Sequence, residues 1–482
     1  MLVQLFERAR QPLLPNIQGE PGLFVRYLRR KPGRGLAVIY AVDQINTPHK
    51  VRINNPAQSV SLTLDEQALS GTQIRFNAQQ IDRSPLGILS SGVLHVPEPG
   101  ISIQKFPIDA SLPALAASCD TTPHSLLWQA LQSAAQAQLH DEGWQLTAIN
   151  ATPVRYKPAS RCVIRYRLQL IHEQGQAQSL QIFGKVYADP EQASRVQSLQ
   201  QQLYDEQTKA GDLSLLPRPF AIIASLGLTF NEAIQPSIDH FPDEKWHTLR
   251  VGTKALQPQF KYGRGGTITQ LLIPEEELRL TGRALASLHC STVRSKDAPR
   301  TGAKEAKRVR ERAALIAAYN SSLANEVQAL VEQLASRLES AQPASYLPAH
   351  GGFKASQLLF HCHHVFVVDF DGFCLADPAL DIGYFLAYLR PSGLWYHKQG
   401  MRQWFEQSSS AFLAAYRDTM LNKDISNEIV ASIIERSHLY EAALILKIAT
   451  RRVNRLNSPR LQELSAMLAE MKACLTLEGK EK

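Results

Sequence analysis

The stretch 347–386 constrains the fold more than any other part of the chain. It contains two short apolar runs, 358–360 and 365–368, separated by residues typical of a tight turn, so the pattern predicts a small β-hairpin. Asp369 and Asp371 come directly after the second run. Because Mg²⁺ takes one or two carboxylates and keeps its phosphate and water ligands, these acids predict a hard-cation site at the mouth of the hairpin.

The turn of this hairpin contains His361, Cys362, His363 and His364. These residue types are zinc ligands, but a turn this short leaves no room to fold several side chains around one ion. We therefore interpret the segment as a polar turn.

Three motifs in this stretch resemble the catalytic core of the aminoglycoside phosphotransferase and choline kinase family. Residues 350–357, HGGFKASQ, are similar to that family's H-G-D-x-x-x-x-N loop. Residues 367–371, VVDFD, and 376–383, ADPALDIG, are similar to its I-D-F and G-D-P-x-x-D-L-A runs. The resemblance implies an α+β, kinase-like two-lobe fold, with a β-rich N-lobe and an α-rich C-lobe, that uses ATP and Mg²⁺.

The chain departs from the family pattern at two positions. Gly352 stands where the family has the catalytic Asp, and Gln357 stands where it has a metal-binding Asn. The resemblance assigns the metal to Asp369 and Gln357, whose amide oxygen lies one methylene further out. It places Lys354 near the transferred phosphate, and Asp371 is a substitute base. Loss of the usual acid slows phosphoryl transfer without abolishing it, because positioning and electrostatics supply most of the catalysis.

Length and composition indicate the number of domains, the partners and the location of the protein. A chain of 482 residues is too long for one compact domain, and we predict an N-terminal β-rich domain (1–120), an N-lobe (121–235) and a C-lobe (236–482). The net charge of +8, from 52 basic and 44 acidic residues, is mild and spread out, so nucleic acid is not an expected partner. No apolar run approaches a membrane span, the first residues are not typical of a signal peptide, and the six cysteines lack CxxC spacing. We expect a cytoplasmic protein with no membrane partner.

The N-terminal part is predicted to be β-rich. Residues 24–42 predict two strands joined at 31–34, and further strand patterns cover 49–53, 59–64 and 101–106. The letters KPGRGLAVIY (31–40) align without gaps on KPASRCVIRY (157–166). The first segment is either a degenerate copy of an N-lobe hairpin or a chance similarity between two hairpins.

The N-lobe pattern contains the candidate nucleotide residues. An amphipathic helix is predicted at 124–140, followed by strands that flank the turn of Lys157, Ser160 and Arg161. By the resemblance this turn lies over the nucleotide phosphates; the alternative is an ordinary basic surface turn. Lys185 is the candidate for the strand lysine that pairs with the α- and β-phosphates.

A helix is predicted to begin at Asp189-Pro190, since an acid precedes proline at its first position. Glu206 falls on its apolar stripe and is the candidate partner of Lys185, with Glu191 as the alternative. The resemblance assigns the adenine-binding hinge to 231–234, which contains Glu232 and Ile234.

The remaining segments predict an α-rich C-lobe. Residues 263–267, GRGGT, are interpreted as a loop, and 278–289 as a helix similar to the family's G-x-x-L-A-x-L-H run, in which His289 is a packed histidine. The basic segment 304–312 is interpreted as a solvated helix start. Helices are also predicted at 404–416, 425–449 and 461–475, where Glu441 and Arg451 are either pocket residues or surface charges.

Three functions remain open at this point. The leading hypothesis is an ATP-dependent phosphotransferase that acts on a small hydroxylated or aminated acceptor. The second is a pseudokinase, a nucleotide-binding regulatory or scaffold protein with a protein partner at its N-terminal domain, which Gly352 favours. The third is transfer of a nucleotidyl group, which releases pyrophosphate instead of ADP.

Overall fold

The structure is a computed structural model that describes residues 101–210, 216–234, 248–262, 268–453 and 463–477, together with five strands before residue 101. The chain divides into two compact units. The first contains Met1–Ser198 and Arg218–Ala233, and the second contains Leu199–Pro217 and Ile234–Lys482. The division into three domains predicted from the sequence stays a prediction.

The first unit begins with a six-stranded antiparallel sheet of strand order β1-β2-β3-β6-β5-β4. Its strands are β1 (Pro21–Lys31), β2 (Gly35–Gln44), β3 (Ser59–Leu64), β4 (Gly87–Ile88), β5 (Leu94–Val96) and β6 (Ile101–Lys105). The strands predicted at 24–42, 59–64 and 101–106 are confirmed, and the one predicted at 49–53 lies outside the described residues.

A second antiparallel sheet of five strands has the order β10-β11-β9-β8-β7. Its strands are β7 (Trp144–Lys157), β8 (Arg161–His172), β9 (Ala177–Tyr187), β10 (Pro219–Ile223) and β11 (Leu228–Glu232). Helices α1 (Leu115–Ser118) and α2 (Leu126–Leu139) contribute apolar residues to the core on one face. Gly184 leaves room in this core for the edge-to-face contact of Tyr166 with Phe230, whose ring centroids are 5.4 Å apart.

The two segments that align in the sequence occupy corresponding positions in these sheets. Strand β1 ends at Lys31, which pairs with Gly35, and β7 ends at Lys157, which pairs with Arg161. In each case a third antiparallel strand, β3 or β9, pairs with the second strand of the hairpin. The two segments that align in the sequence, 31–40 and 157–166, therefore correspond to two hairpins whose closing pairs lie at aligned positions.

The second unit is mostly helical. Helix α3 (Pro190–Ala210) belongs to the first unit up to Ser198 and to the second from Leu199. It begins at the predicted proline, where the Asp189 carboxylate accepts a hydrogen bond from the Glu191 amide at 2.9 Å. The other helices are α4 (Gly252–Ala255), α5 (Glu275–His289), α6 (Gly302–Tyr319), α7 (Ala324–Ser340), α8 (Ala379–Leu389), α9 (Met401–Leu421), α10 (Asn427–Val453) and α11 (Leu464–Leu477). The helices predicted for the C-lobe are confirmed, and the loop predicted at 263–267 lies outside the described residues.

Short strands complete the second unit. They are β12 (Arg250–Val251), β13 (Gln259–Tyr262), β14 (Ile268–Leu272), β15 (Leu347–Ala349), β16 (Leu358–His361), β17 (His364–Val367) and β18 (Cys374–Ala376). One continuous apolar core joins this β-structure to the helices, so the loops between the short strands rest on a packed support. Within the described ranges, no helix has the length and apolar character needed to cross a bilayer.

Two glycines allow close helix packing in this unit. A Cβ at Gly282 of α5 would lie 2.5 Å from the Phe412 carbonyl oxygen of α9. A Cβ at Gly383 of α8 would lie 2.5 Å from the Glu441 amide nitrogen of α10. The glycine of the G-x-x-L-A-x-L-H run and that of the DPALDIG run are therefore packing residues.

We predict that Gly383→Ala lowers the free energy of unfolding by about 1–3 kcal/mol, because the new methyl group overlaps backbone atoms that cannot move aside. Urea denaturation of the full chain measures the change. Gly352→Ala is the matched control, since a Cβ there meets no heavy atom within 4 Å. Equal stabilities of the two variants would contradict the prediction.

Candidate functional site

The predicted hairpin is formed by β16 and β17, which close through a two-residue turn. His361 pairs with His364, and the turn residues Cys362 and His363 have φ of 47° and 58°. Two consecutive left-handed residues are the signature of a type I′ turn, so the predicted turn is confirmed. Among the described residues, no group of three or more His, Cys, Asp or Glu side chains is arranged to hold a metal ion.

The loop that follows β15 is held by the carboxylate of Asp381. This side chain is fully buried on α8 and accepts hydrogen bonds from the backbone amides of His350 at 2.6 Å, Gly351 at 3.4 Å and Phe353 at 3.4 Å. Burial by itself would raise the pKa of Asp381, but His289, His350 and the Phe353 amide together hold this pKa below its usual value. The carboxylate is therefore an ionised anchor for residues 350–353.

Two histidines complete this anchor. Nε2 of His289, on α5, lies 3.7 Å from Asp381 Oδ2, and Nδ1 contacts the Tyr416 hydroxyl at 2.8 Å. The interpretation of His289 as a packed, hydrogen-bonded histidine is confirmed. Burial lowers the pKa of His350 despite the nearby Asp381 charge, so the His350 ring is neutral at pH 7. Its Nε2 lies 3.2 Å from the Val368 carbonyl oxygen, which links the loop to the end of β17.

The loop itself contains the residues where the chain departs from the family pattern. Gly351 has φ of 70°, and a Cβ there would lie 2.0 Å from the Gly372 carbonyl oxygen, so this position requires glycine. Gly352 is different, because a Cβ there would enter open space. The backbone therefore does not demand glycine at the position of the missing acid. The Lys354 ammonium lies 5.9 Å from the centroid of the Tyr388 ring.

The two predicted metal residues lie on adjoining segments. The Val368 amide donates to the Gln357 carbonyl oxygen at 2.9 Å, so the residue before Asp369 is tied to Gln357. Asp369 has φ of 74° and ψ of 54°, a left-handed conformation that costs energy in a residue with a side chain. Gln357 is 6% exposed, and its Oε1 has no hydrogen-bond partner. A buried amide oxygen of this kind fits a hard cation.

Asp371 lies two residues further on, in the short 3₁₀ turn Phe370–Gly372, and is partly exposed. The roles of Asp369, Gln357, Lys354 and Asp371 stay predictions.

In the first unit, three predicted phosphate residues share one face of the five-stranded sheet. Lys157 is opposite Arg161 across the β7–β8 pair, and Arg161 is opposite Tyr187 on β9. Since directly paired residues and alternate residues point the same way, Lys157, Arg161 and Lys185 lie on one face. This face is opposite the one that packs on α2. The Lys185 ammonium lies 5.0 Å from the Tyr187 ring centroid.

The β7–β8 turn is held by a residue that the sequence did not single out. One carboxylate oxygen of Asp109, which is 4% exposed, accepts from the Tyr156 hydroxyl at 2.7 Å and the Ala159 amide at 2.9 Å. The Ser160 amide donates to the Lys157 carbonyl oxygen at 3.2 Å. The Ala159 amide is thus used by the protein itself, which leaves side chains to carry the predicted contacts with phosphate.

Glu206 has well-defined partners in the second unit. Its carboxylate accepts from the Ser291 hydroxyl, from the Thr292 amide at 2.7 Å and from the Thr292 hydroxyl at 2.6 Å. These hydrogen bonds outweigh partial burial and lower the pKa of Glu206. The alternative, Glu191, lies 3.9 Å from Arg195. The pairing of Lys185 with either acid stays a prediction.

The predicted hinge begins at the end of β11. Glu232 pairs with Ile182 and lies 3.6 Å from Arg218; burial raises the pKa of Glu232, and Arg218 partly opposes this. The Ala233 amide donates to the Gln181 carbonyl oxygen at 2.9 Å, and Ile234 is the next residue. The adenine-binding role of this segment also stays a prediction.

A groove of about 920 Å³ lies between α5 and α9. It is lined by residues such as Arg279, Arg283 and Asp418, and it contains none of the predicted site residues. Because no residue of the 350–357 loop lines it, the groove is a poor candidate for the acceptor pocket.

The loop, its anchor at Asp381 and the two predicted metal residues lie within one segment that is recognisable in other proteins. Residues 260–418 match the model of the phosphotransferase enzyme family APH. The resemblance predicted from the sequence is confirmed over this segment, which is about a third of the chain. No curated protein matches the chain.

Several solved structures are similar to the chain at low identity. A choline/ethanolamine kinase family protein from Mesorhizobium loti is 12% identical over 65% of this chain and 86% of its own, with a TM-score of 0.36. A glucosamine kinase in complex with glucosamine, ADP and inorganic phosphate is 14% identical over 97% of this chain and 96% of its own, with a TM-score of 0.43. An ADP-bound aminoglycoside phosphotransferase is 12% identical over 71% of this chain and 97% of its own, with a TM-score of 0.39. The predicted α+β class is confirmed, with antiparallel sheets in the first unit and mostly helices in the second.

We predict that Asp381→Asn lowers the free energy of unfolding at pH 7 by about 2–4 kcal/mol, because it removes a buried charge that accepts several hydrogen bonds. The folded-state pKa of Asp381 is lowered, so its contribution is complete above the unfolded pKa of about 4 and is lost as the pH falls below that value. The deficit of the variant is therefore constant above about pH 5 and shrinks below about pH 4.

Urea denaturation at several pH values checks this prediction. Asp418→Asn is the control, since Asp418 is exposed on α9. A deficit that is equally large at pH 3 and pH 7 would show that the charge of Asp381 is not what stabilises the loop.

Proposed function

We propose that the protein transfers the γ-phosphoryl group of ATP to a hydroxyl or amine group of a small molecule. The match of residues 260–418 to a phosphotransferase family supports this. The strongest structural support comes from Gln357 and Asp369, which lie inside that segment. Gln357 presents a buried amide oxygen without a partner, tied through Val368 to a left-handed Asp369. Both features cost stability, and both suit a Mg²⁺–nucleotide complex.

Asp369 and Gln357 would hold the Mg²⁺ ion. When bound, the ion would neutralise negative charge on the nucleotide phosphates. Lys354 would contact the transferred phosphate from the same loop. Lys185, Lys157, Ser160 and Arg161 would bind phosphate oxygens through side chains, because the Ala159 amide of their turn is already bonded to Asp109.

The remaining predicted residues have narrower roles. The backbone at Glu232 and Ile234 would bind the adenine. Asp371 would accept the proton of the acceptor, since Gly352 has no side chain to do so. Positioning and charge supply most of the rate in phosphoryl transfer, so a weakly placed base is compatible with activity. The free cysteines fit a reducing compartment, and we expect the reaction in the cytoplasm.

A second candidate function is nucleotide binding without transfer, in which the chain regulates a protein partner through its N-terminal domain. Gly352 favours this alternative. This candidate function uses the same predicted nucleotide and metal residues as phosphoryl transfer. A measurement of ATP binding alone therefore does not distinguish the two candidate functions.

We predict that ATP binds with a dissociation constant below about 1 mM in the presence of Mg²⁺ and at least tenfold more weakly without it. Asp369→Asn should abolish the Mg²⁺ dependence, because the amide cannot replace the charge of the carboxylate at the ion. Titration calorimetry of the full chain measures both. Asp418→Asn, on the outer face of α9, is the control and should bind like the wild type.

The absence of ATP binding at millimolar concentration would contradict the proposed function. Mg²⁺-dependent binding that Asp369→Asn leaves unchanged would place the ion on other residues.

We predict that Gly352→Asp raises the rate of ADP release from ATP by about 10²-fold or more, because the open space at this position accepts a carboxylate that serves as a base. A coupled ADP assay measures the rate, with water or an added polyol as acceptor. Gly352→Asn adds the same volume without a base and is the matched control. If neither protein releases ADP although both bind ATP, the second candidate function is favoured.

A further inference from the structure

Three basic side chains of the second unit converge beside the 350–357 loop. Arg312 extends from α6, and Lys447 and Arg451 extend from α10, one helical turn apart. We call these three residues the basic cluster. Their charges are close enough to affect one another, since Arg451 and Arg312 both contribute to the lowered pKa of Lys447. Like charges one turn apart are destabilising unless something offsets them.

Two tyrosines of α8 hold the cluster in place. The Lys447 ammonium donates to the Tyr384 hydroxyl and lies 4.5 Å from the centroid of that ring. Arg451 donates to the Tyr388 hydroxyl at 2.7 Å. The two rings stack with centroids 6.3 Å apart, so they present the Lys447 amine and the Arg451 guanidinium from one surface.

The cluster has an excess of positive charge. Glu305, the acid that acts on Lys447, is 1% exposed, and its Oε1 pairs with Arg300 at 2.6 Å and with Arg308, while its Oε2 has no hydrogen-bond partner. In the part of the chain that the structure describes, Arg312, Lys447 and Arg451 form no salt bridge, and the buried Nη1 of Arg312 has no hydrogen-bond partner. A buried donor without an acceptor costs free energy, and an anion would satisfy the Arg312 Nη1 donor.

The cluster is linked to the loop through Arg300 and the same tyrosines. Arg300 donates to the Gly351 carbonyl oxygen at 2.9 Å, and its guanidinium carbon lies 5.7 Å from the Tyr384 ring centroid. On the other side, the Lys354 ammonium lies 5.9 Å from the Tyr388 ring centroid. A molecule bound at the cluster therefore lies next to the loop that would position the transferred phosphate.

We propose that the basic cluster binds an anionic group of the acceptor, so that the substrate is a small hydroxylated or aminated molecule that also carries a phosphate, sulfate or carboxylate group. The inference rests on the proposed function, because it assigns the acceptor of that reaction. A phosphate group of the nucleotide is the other source of the same chemistry. The experiment below distinguishes the two.

A bound anion would change the protonation of Lys447. Burial, together with the charges of Arg451, Arg312 and Arg300, lowers the pKa of Lys447 to about 6, and Glu305 opposes this only in part. The Tyr384 hydroxyl faces the same amine. Lys447 is therefore mostly neutral at pH 7. An anion favours the charged form, so its binding takes up a proton and becomes tighter as the pH falls from 8 to 6.

Inorganic sulfate is the probe, because it is a dianion that does not titrate in this range. We would titrate the full chain with sulfate by calorimetry at pH 6, 7 and 8, in two buffers of different ionisation enthalpy, with and without saturating Mg²⁺–ADP. The expected results are a dissociation constant in the millimolar range, tighter binding at pH 6, proton uptake near pH 7, and affinity that persists when Mg²⁺–ADP is bound.

Variants assign the binding to the cluster. Arg451→Met and Lys447→Met should each weaken sulfate binding by about tenfold or more, as expected for the loss of a charge-assisted hydrogen bond. Lys447→Met should also remove the proton uptake. Arg451 is exposed, so its replacement preserves the fold. Arg310→Met is the matched control, since Arg310 lies on the same helix as Arg312 and pairs with Glu332 and Glu339.

Three outcomes would overturn the proposal: no sulfate binding up to about 100 mM, equal affinity in wild type and Arg451→Met, or loss of sulfate binding once Mg²⁺–ADP is present. Loss of sulfate binding in the presence of Mg²⁺–ADP would show that the basic cluster binds a phosphate group of the nucleotide. Failure of the proposed function is seen separately, as absence of Mg²⁺–ADP binding to the wild-type chain.

Discussion

The buried carboxylate of Asp381 is the interaction on which the candidate site depends. It accepts hydrogen bonds from the backbone amides of His350, Gly351 and Phe353. Because Asp381 lies on α8, the loop moves only if that helix moves. Helix α8 is in turn fixed against α10 by the close approach at Gly383. The loop, the predicted metal residues and the basic cluster are therefore held by one set of packed helices.

The site contains local strain and buried polar atoms without partners, features that also occur elsewhere in the described residues. Asp369 is held in a left-handed conformation, and Gln357 and Arg312 each keep a buried polar atom without a partner. A protein under selection for stability alone would remove such features, since each lowers the free energy of unfolding. Under the proposed function, a charged ligand would account for each of them: a cation at Gln357 and Asp369, and an anion at Arg312. The charges of these ligands match those of a magnesium nucleotide and an acidic acceptor.

The sequence predicted those parts of the structure that depend on patterns among neighbouring residues. Alternating residues and turn letters specified the 358–367 hairpin, and helical spacing specified the C-lobe helices. The DPALD run marked Asp381 as part of a motif, but its role as an anchor depends on amides about 30 residues away. Likewise, Asp109 and Lys447 gave no local signal, because their partners Ala159 and Tyr384 are separated from them by 50 and 63 residues. Such contacts follow from tertiary packing, which periodicity does not report.

Identification of the products formed from ATP tests the account most directly. The full chain would be incubated with Mg²⁺–ATP and a set of neutral and acidic polyols, and the phosphorus species followed by ³¹P NMR. The account predicts that ADP accumulates while the γ-phosphorus appears in a phosphate ester or in inorganic phosphate. Formation of AMP and pyrophosphate, or ATP that stays unchanged over many hours, would contradict it.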